Sequence, residues 1–146
     1  MIRLTGVAED PTELKRRMLT TARTIAVVGL SPRADRDSHQ VARYLQSKGY
    51  RVIPVNPMVE EVLGEKSYPS LAAIPEPIDL VDIFRRSEEV TPIVEEAVAI
   101  HAKGVWMQDG VVNQAAAAVA EAAGIPVVMD DCTMRVHRRL ARAGKA

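Results

Sequence analysis

A single cysteine in 146 residues, Cys132, rules out an intramolecular disulfide framework and any metal site built from several thiolates. It also points to a reducing compartment, the cytoplasm by default. Charge of one sign is not in excess either. The 19 Lys and Arg balance 19 Asp and Glu, so the molecule as a whole has no electrostatic pull toward nucleic acid or a membrane surface. No apolar run reaches membrane-spanning length, and Met1 to Asp10 is too short and polar for a secretory signal. Catalytic signatures are missing as well. His39, His101 and His137 show no metal-type H-x-x-x-H or H-E-x-x-H spacing, and no G-x-S-x-G elbow marks a serine nucleophile. Cys132 follows Asp130 and Asp131, an acidic setting that disfavours a thiolate, so it reads as a structural thiol. No internal repeat is present. The alanine run Ala115 to Ala118 reads as a close-packed helix face.

What is present is a nearly unbroken alternation of strand and helix patterns. Asp10-Pro-Thr-Glu13 reads as a helix start, with Asp10 as cap, Pro11 in the first turn and Glu13 closing a capping box. A strand follows at about Thr24 to Leu30, then a polar loop, then a helix from about His39 to Lys48 capped by Ser38. Arg51 to Asn56 reads as the second strand; Pro54 lacks an amide donor and suits an edge. Between Asn56 and Pro77 the period is lost, apart from one helical turn at Leu71 to Ile74. Ile78 to Phe84 is a strand, Thr91 to Lys103 a helix, Val105 to Met107 a strand, and Asn113 caps a helix that Gly124 stops. A strand over Ile125 to Met129 and a helix over Thr133 to Ala143 complete the order. Right-handed crossovers then bury both faces of a parallel sheet, which predicts a three-layer α/β domain with five mainly parallel strands. We read residues 1–146 as one domain, with 1–23 an N-terminal helical segment, 24–131 the core and 132–146 a C-terminal helix.

In such sheets ligands bind beyond the carboxyl ends of the strands, so the segments after each strand are the candidates. The first, Gly29 to Ser38, breaks an apolar run with a turn-forming glycine. Ser31, Arg33, Arg36 and Ser38 supply hydroxyl, guanidinium and amide donors suited to a pyrophosphate. The G-x-G-x-x-G dinucleotide fingerprint is absent, because Ser31 stands where its second glycine belongs. After the second strand comes Asn56-Pro57 rather than the acidic residue with which NAD-binding folds hold ribose hydroxyls; these two also read as a plain turn. Arg85, Arg86 and Ser87 either face a ligand or pair with Glu88 and Glu89. Gln108, Asp109 and Gly110 are further ligand candidates, whereas Trp106 reads as core. Asp79 and Asp82 are awkward in an apolar strand and call for hydrogen-bond donors. Arg135, Arg138, Arg139, Arg142 and Lys145 make the last helix basic, which reads as a solvated face or a contact with a protein partner or second copy, not a DNA reader.

Five motifs in order carry a resemblance: Gly29-Leu-Ser-Pro-Arg-Ala-Asp-Arg-Asp-Ser38, Val52-Ile-Pro-Val-Asn-Pro57, Tyr68-Pro-Ser-Leu71, Phe84-Arg-Arg-Ser-Glu-Glu-Val90 and Val105-Trp-Met-Gln-Asp-Gly-Val-Val-Asn113. Over about Thr24 to Cys132 the chain resembles the small bacterial CoA-binding proteins, which are similar in fold to the CoA-binding domain of the succinyl-CoA synthetase alpha subunit. The resemblance implies a Rossmann-like fold with CoA or an acyl-CoA as ligand. It also implies phosphate contacts from Gly29, Ser31, Arg36 and Ser38, with Asn56 and Pro57 lining the nucleotide and Tyr68 and Pro69 flanking it. Phe84, Arg85, Arg86 and Ser87 would border the adenine, and Gln108, Asp109 and Gly110 would close the far side. The synthetase needs a phosphohistidine from a second domain for which this chain has no room, so ligase chemistry is not expected. Relatives tend to carry Asp-Arg-Cys where this chain has Asp130-Asp131-Cys132. The expectation is a stand-alone CoA-binding protein, against the alternatives of an NAD(P)-binding enzyme or a regulatory protein.

Overall fold

Branched aliphatic residues with no polar interruption make strands that sit inside a sheet, and the computed structural model, which describes residues 9–146, places them there. The reading of Met1 to Asp10 as too short and polar for a secretory signal, and the start of the 1–23 segment, fall largely outside the described residues. The strands are β1 (Thr24–Val28), β2 (Arg51–Val55), β3 (Glu61–Val62), β4 (Glu65–Lys66), β5 (Leu80–Ile83), β6 (Val105–Met107) and β7 (Val127–Val128). The helices are α1 (Pro11–Thr21), α2 (Asp37–Ser47), α3 (Val90–Ala99), α4 (Gln114–Ala122) and α5 (Thr133–Arg142). The main sheet has five parallel strands in the order β2-β1-β5-β6-β7. Pro54 lies in the edge strand β2, where its missing donor costs no ladder bond. The expected α/β Rossmann-like architecture is therefore the observed one.

Alternation along the strands sorts the core into two layers. On one face Ile25, Val27, Val52, Leu80 and Trp106 pack against Met18 and Leu19 of α1, Val41 and Leu45 of α2, and Val136 and Leu140 of α5. On the other, Ala26, Val28, Ile53, Val81, Ile83 and Met107 meet Val94 and Ala97 of α3 and Ala116 and Ala120 of α4. Trp106 is fully buried, and its indole N–H donates to the Asp131 carbonyl at 2.9 Å. Among the described residues no helix is long and apolar enough to cross a membrane.

Several local expectations are corrected. Asp10 does cap α1, accepting from the Thr12 amide at 2.7 Å, but Glu13 closes no capping box; it binds Arg16 one turn on, at 2.8 and 2.9 Å. The residue at the N-cap of α2 is Arg36, and Ser38 is already inside the first turn. Strand β1 ends at Val28 rather than Leu30, because Gly29 adopts φ +86° and turns the chain. The α3 helix begins at Val90 behind a single 3-10 turn at Ser87–Glu89, and it stops at Ala99 rather than Lys103; His101 is left-handed at φ +59°. The aperiodic stretch holds the small hairpin β3-β4, which sequence patterning did not reveal, and a 3-10 turn at Leu71–Ala73. Asn113 caps α4 as expected, accepting from the Ala116 amide at 2.9 Å.

Candidate functional site

The chain passes from β1 outward to β2, then crosses back to β5 on the other side of β1. Winding direction reverses between β1 and β5, and a doubly wound sheet opens a crevice at that point. Two segments flank it, the loop that starts at Gly29 and the segment that starts at Phe84. They approach as closely as backbone allows. A β-carbon on Gly29 would lie 2.3 Å from the Phe84 carbonyl oxygen, and the positive φ is itself unfavourable for any other residue. The Gly29 amide is held by the Val55 carbonyl at 3.0 Å and the Phe84 amide by the Val28 carbonyl at 2.8 Å.

Above this seam is a cleft of about 700 Å³ lined by Gly29, Ser31, Arg33, Asp35, Arg36, Asp37, Ser38 and Phe84. The loop is internally braced: the Ser31 amide donates to Ser38 Oγ at 3.0 Å, the Arg33 amide to Ser31 Oγ at 3.1 Å, and His39 Nδ1 contacts the Ser31 carbonyl at 3.0 Å. Ser38 thus holds the loop rather than the helix end. Among the described residues no side chain caps α2, so its first-turn amides and the positive end of its dipole face the cleft. Arg33 pairs with Asp35 at 3.0 Å, whereas Arg36 forms no ion pair among the described residues and is exposed. All four residues that the resemblance implies as phosphate contacts, Gly29, Ser31, Arg36 and Ser38, line this one cleft.

A second hollow of about 370 Å³ lies on the β2 side, where Pro57 and Pro69 meet Val28, Val55, Leu71 and Arg85. Asn56 does not point freely into it. Its amide donates to the Leu30 carbonyl at 3.0 Å and its oxygen accepts from the Met58 amide at 2.9 Å, an Asx turn that fixes the loop after β2. Tyr68 extends the sheet edge beside β2, its amide bonded to the Pro54 carbonyl at 3.0 Å, with its ring half-buried under Lys66. Arg85 and Arg86 both bind Glu89, at 3.0 and 3.2 Å, and these guanidinium groups pull the Glu89 carboxyl down to about 2. Ser87 links the loops: its hydroxyl accepts from the Val112 amide at 2.9 Å, and its carbonyl accepts from the Asn113 side chain at 2.9 Å.

On the β6 side the residues after the strand separate. Asp109 is exposed and bidentate with Arg135 at 2.8 and 2.9 Å, and the Gly110 amide donates to Asp130 at 2.8 Å. Gln108 turns inward. Its amide donates to Asp82 at 2.6 Å and to Thr133 at 2.9 Å, and the Thr133 hydroxyl donates to the second Asp82 oxygen at 3.0 Å. Asp82 is fully buried, and burial lifts its carboxyl to about 7 against the lowering effect of these two donors. The demand of Asp82 for donors was visible in its apolar strand, but its partners, 26 and 51 residues further along the chain, were not. A third hollow, of about 330 Å³, lies between α2 and α5 and includes Phe84, Gln108, Asp109 and Cys132 in its lining. Burial raises the Cys132 thiol, which keeps it protonated. The cleft at Gly29 and this third hollow share Asp37 and Phe84, so the strand ends carry one connected system. A further cleft of about 600 Å³, with Arg23, Lys48, Tyr50 and His137 in its lining, sits at the opposite pole, where the strands begin.

A family profile described as "CoA binding domain" matches residues 23–138. The chain belongs to the CoA-binding domain family. It is 43% identical over 122 residues to an uncharacterized protein, YneT, of Bacillus subtilis, covering 84% of this chain and 90% of that one. It is 30% identical over 129 residues to an ADP-forming acetate–CoA ligase of Archaeoglobus fulgidus, a match that spans 82% of this chain but 19% of the ligase. A solved structure of a hypothetical protein from Pyrococcus horikoshii superimposes with a TM-score of 0.87 at 41% identity, covering 97% of each chain. The resemblance carried by the five motifs is thus a family relationship. In this CoA-binding domain the matched span runs from the residue before β1 into α5, so it contains all three hollows at the strand ends.

Proposed function

We propose that the protein binds CoA or an acyl-CoA across the strand ends as a stand-alone module, with no chemistry of its own. The observation that carries this reading is the crevice at Gly29 and Phe84. There a family that binds CoA meets, in this chain, an uncapped helix start, an unpaired Arg36 and a rigidly braced loop, which together favour an anionic diphosphate. Pro57, Pro69, Phe84 and Arg85 then take the nucleotide side, while Asp109 and the α2–α5 hollow take the pantetheine side. An NAD(P) enzyme is the weaker alternative. The position after β2 holds Asn56, whose amide and oxygen are both used to fix its own loop, so no carboxylate is there for ribose hydroxyls. Calorimetric titration of the purified protein with CoA, dephospho-CoA and NAD tests the proposal. Binding of CoA in preference to NAD is expected, and preference for NAD overturns it.

A further inference from the structure

The cleft of about 600 Å³ at the pole where the strands begin is framed by the end of α1, the turn after α2 and His137 of α5. Its charged side chains are Arg23 and Lys48, both exposed and neither with a carboxylate partner among the described residues; no Asp or Glu lies in the lining. Ala146 also lines the cleft, and among the described residues it forms no ion pair with either cation. The helix ends do not use up this charge. The Leu19 carbonyl accepts from the Tyr50 hydroxyl, and the Tyr44, Leu45 and Gln46 carbonyls accept from the backbone amides of Lys48, Gly49 and Tyr50. The remaining polar group is His137, only 8% exposed yet part of the lining. Tyr44 and Tyr50 hold its ring edge-on, at centroid distances of 5.5 and 5.8 Å, and its Nδ1 lies 2.8 Å from the Tyr44 hydroxyl. Tyr44 is not in the lining, and Nε2 has no partner among the described residues, so the nitrogen left to the cleft is Nε2. With Tyr44 donating to Nδ1, the ring proton sits on Nε2. Burial and the nearby Lys48 lower the pKa of His137, which keeps the ring a neutral donor.

We infer that this cleft is a second ligand site, for a phosphate dianion carried by a small metabolite or free in solution, with Arg23 and Lys48 supplying the charge and His137 Nε2 a buried donor. A tetrahedral dianion satisfies two cations and a directed N–H together, whereas a monocarboxylate leaves one cation unmatched. It also gives the buried imidazole the partner that the fold withholds. The site shares no lining residue with the crevice at Gly29, so both can be filled at once, and it does not depend on what that crevice binds.

Two-dimensional amide NMR titration with inorganic phosphate, glycerol phosphate and acetate tests it, at constant low ionic strength and about pH 7.5, where phosphate esters are dianionic. The wild type and the double variant Arg23→Gln, Lys48→Gln are compared; both substitutions are at exposed side chains, so the fold is kept. Either phosphate is expected to shift the Thr20, Thr21, Gly49 and Tyr50 amides saturably, with a Kd of about 1 mM in the wild type, weakened about fivefold or more in the double variant. Tighter binding of glycerol phosphate names a metabolite as the source and equal binding names the free ion; both uphold the site. Phosphate shifts confined to the loop from Ser31 to Ser38, shifts at the far pole that persist undiminished in the double variant, or acetate binding there as tightly as phosphate overturns it.

Discussion

Replacing Asp82 by asparagine removes a charge that the core must otherwise hold. Asp82 is fully buried, with its carboxyl lifted to about 7 by desolvation, whereas the same group in the unfolded chain titrates near 4. Between those values the native protein holds a proton that the unfolded chain has released. The group's contribution to stability is therefore complete at acid pH and is lost as pH rises through 7. At about 1.4 kcal/mol per pH unit, the part of that interval above pH 5 amounts to about 3 kcal/mol. Asparagine keeps an oxygen for the Gln108 amide and presents its own NH2 to the Thr133 hydroxyl, so D82N retains the network without the titration. His137, whose burial lowers its pKa, acts in the opposite direction over the same range, so the comparison has to be between variant and wild type. Urea unfolding at pH 5 and pH 8 is the assay. Between the two pH values the wild type should lose about 3 kcal/mol relative to D82N. Parallel pH profiles for the two proteins would show that the core does not bear this cost.

Gly29→Ala should lower unfolding stability by about 2–4 kcal/mol, from a left-handed backbone and from displaced ladder ends at Val55 and Phe84; denaturant unfolding reads it, and a loss under about 1 kcal/mol refutes the close approach. Arg36→Ala should weaken CoA about tenfold at low salt, with the gap narrowing as ionic strength rises, and an unchanged Kd removes Arg36 from the phosphate site. Asn113→Ala loses the α4 cap and the link to the Ser87 carbonyl, an expected cost of about 2 kcal/mol by thermal or urea unfolding; a change near zero would assign the helix start to another acceptor.

Periodicity and punctuation in the sequence determined the order of elements, the edge position of Pro54, the burial of Trp106 and the cap at Asn113, because each is a local consequence of side-chain alternation, a missing donor or a free helix amide. The motifs after the strands also marked the family, and with it the strand ends as the place to look. What only tertiary structure decided is long-range. Ser38 left the cap for the Ser31 amide, and Gln108 turned from the solvent side to Asp82. The hairpin at Glu61–Lys66 arose in a stretch without a period. The crevice itself exists because β5 returns beside β1, which no window of sequence contains. The groove beneath it exists because α2 and α5, far apart in the chain, are laid side by side on one face of the sheet. Sequence fixes which groups each segment can offer, but which donor meets which acceptor is set by packing, since every polar group drawn into the core must find its partner among whatever the fold brings near.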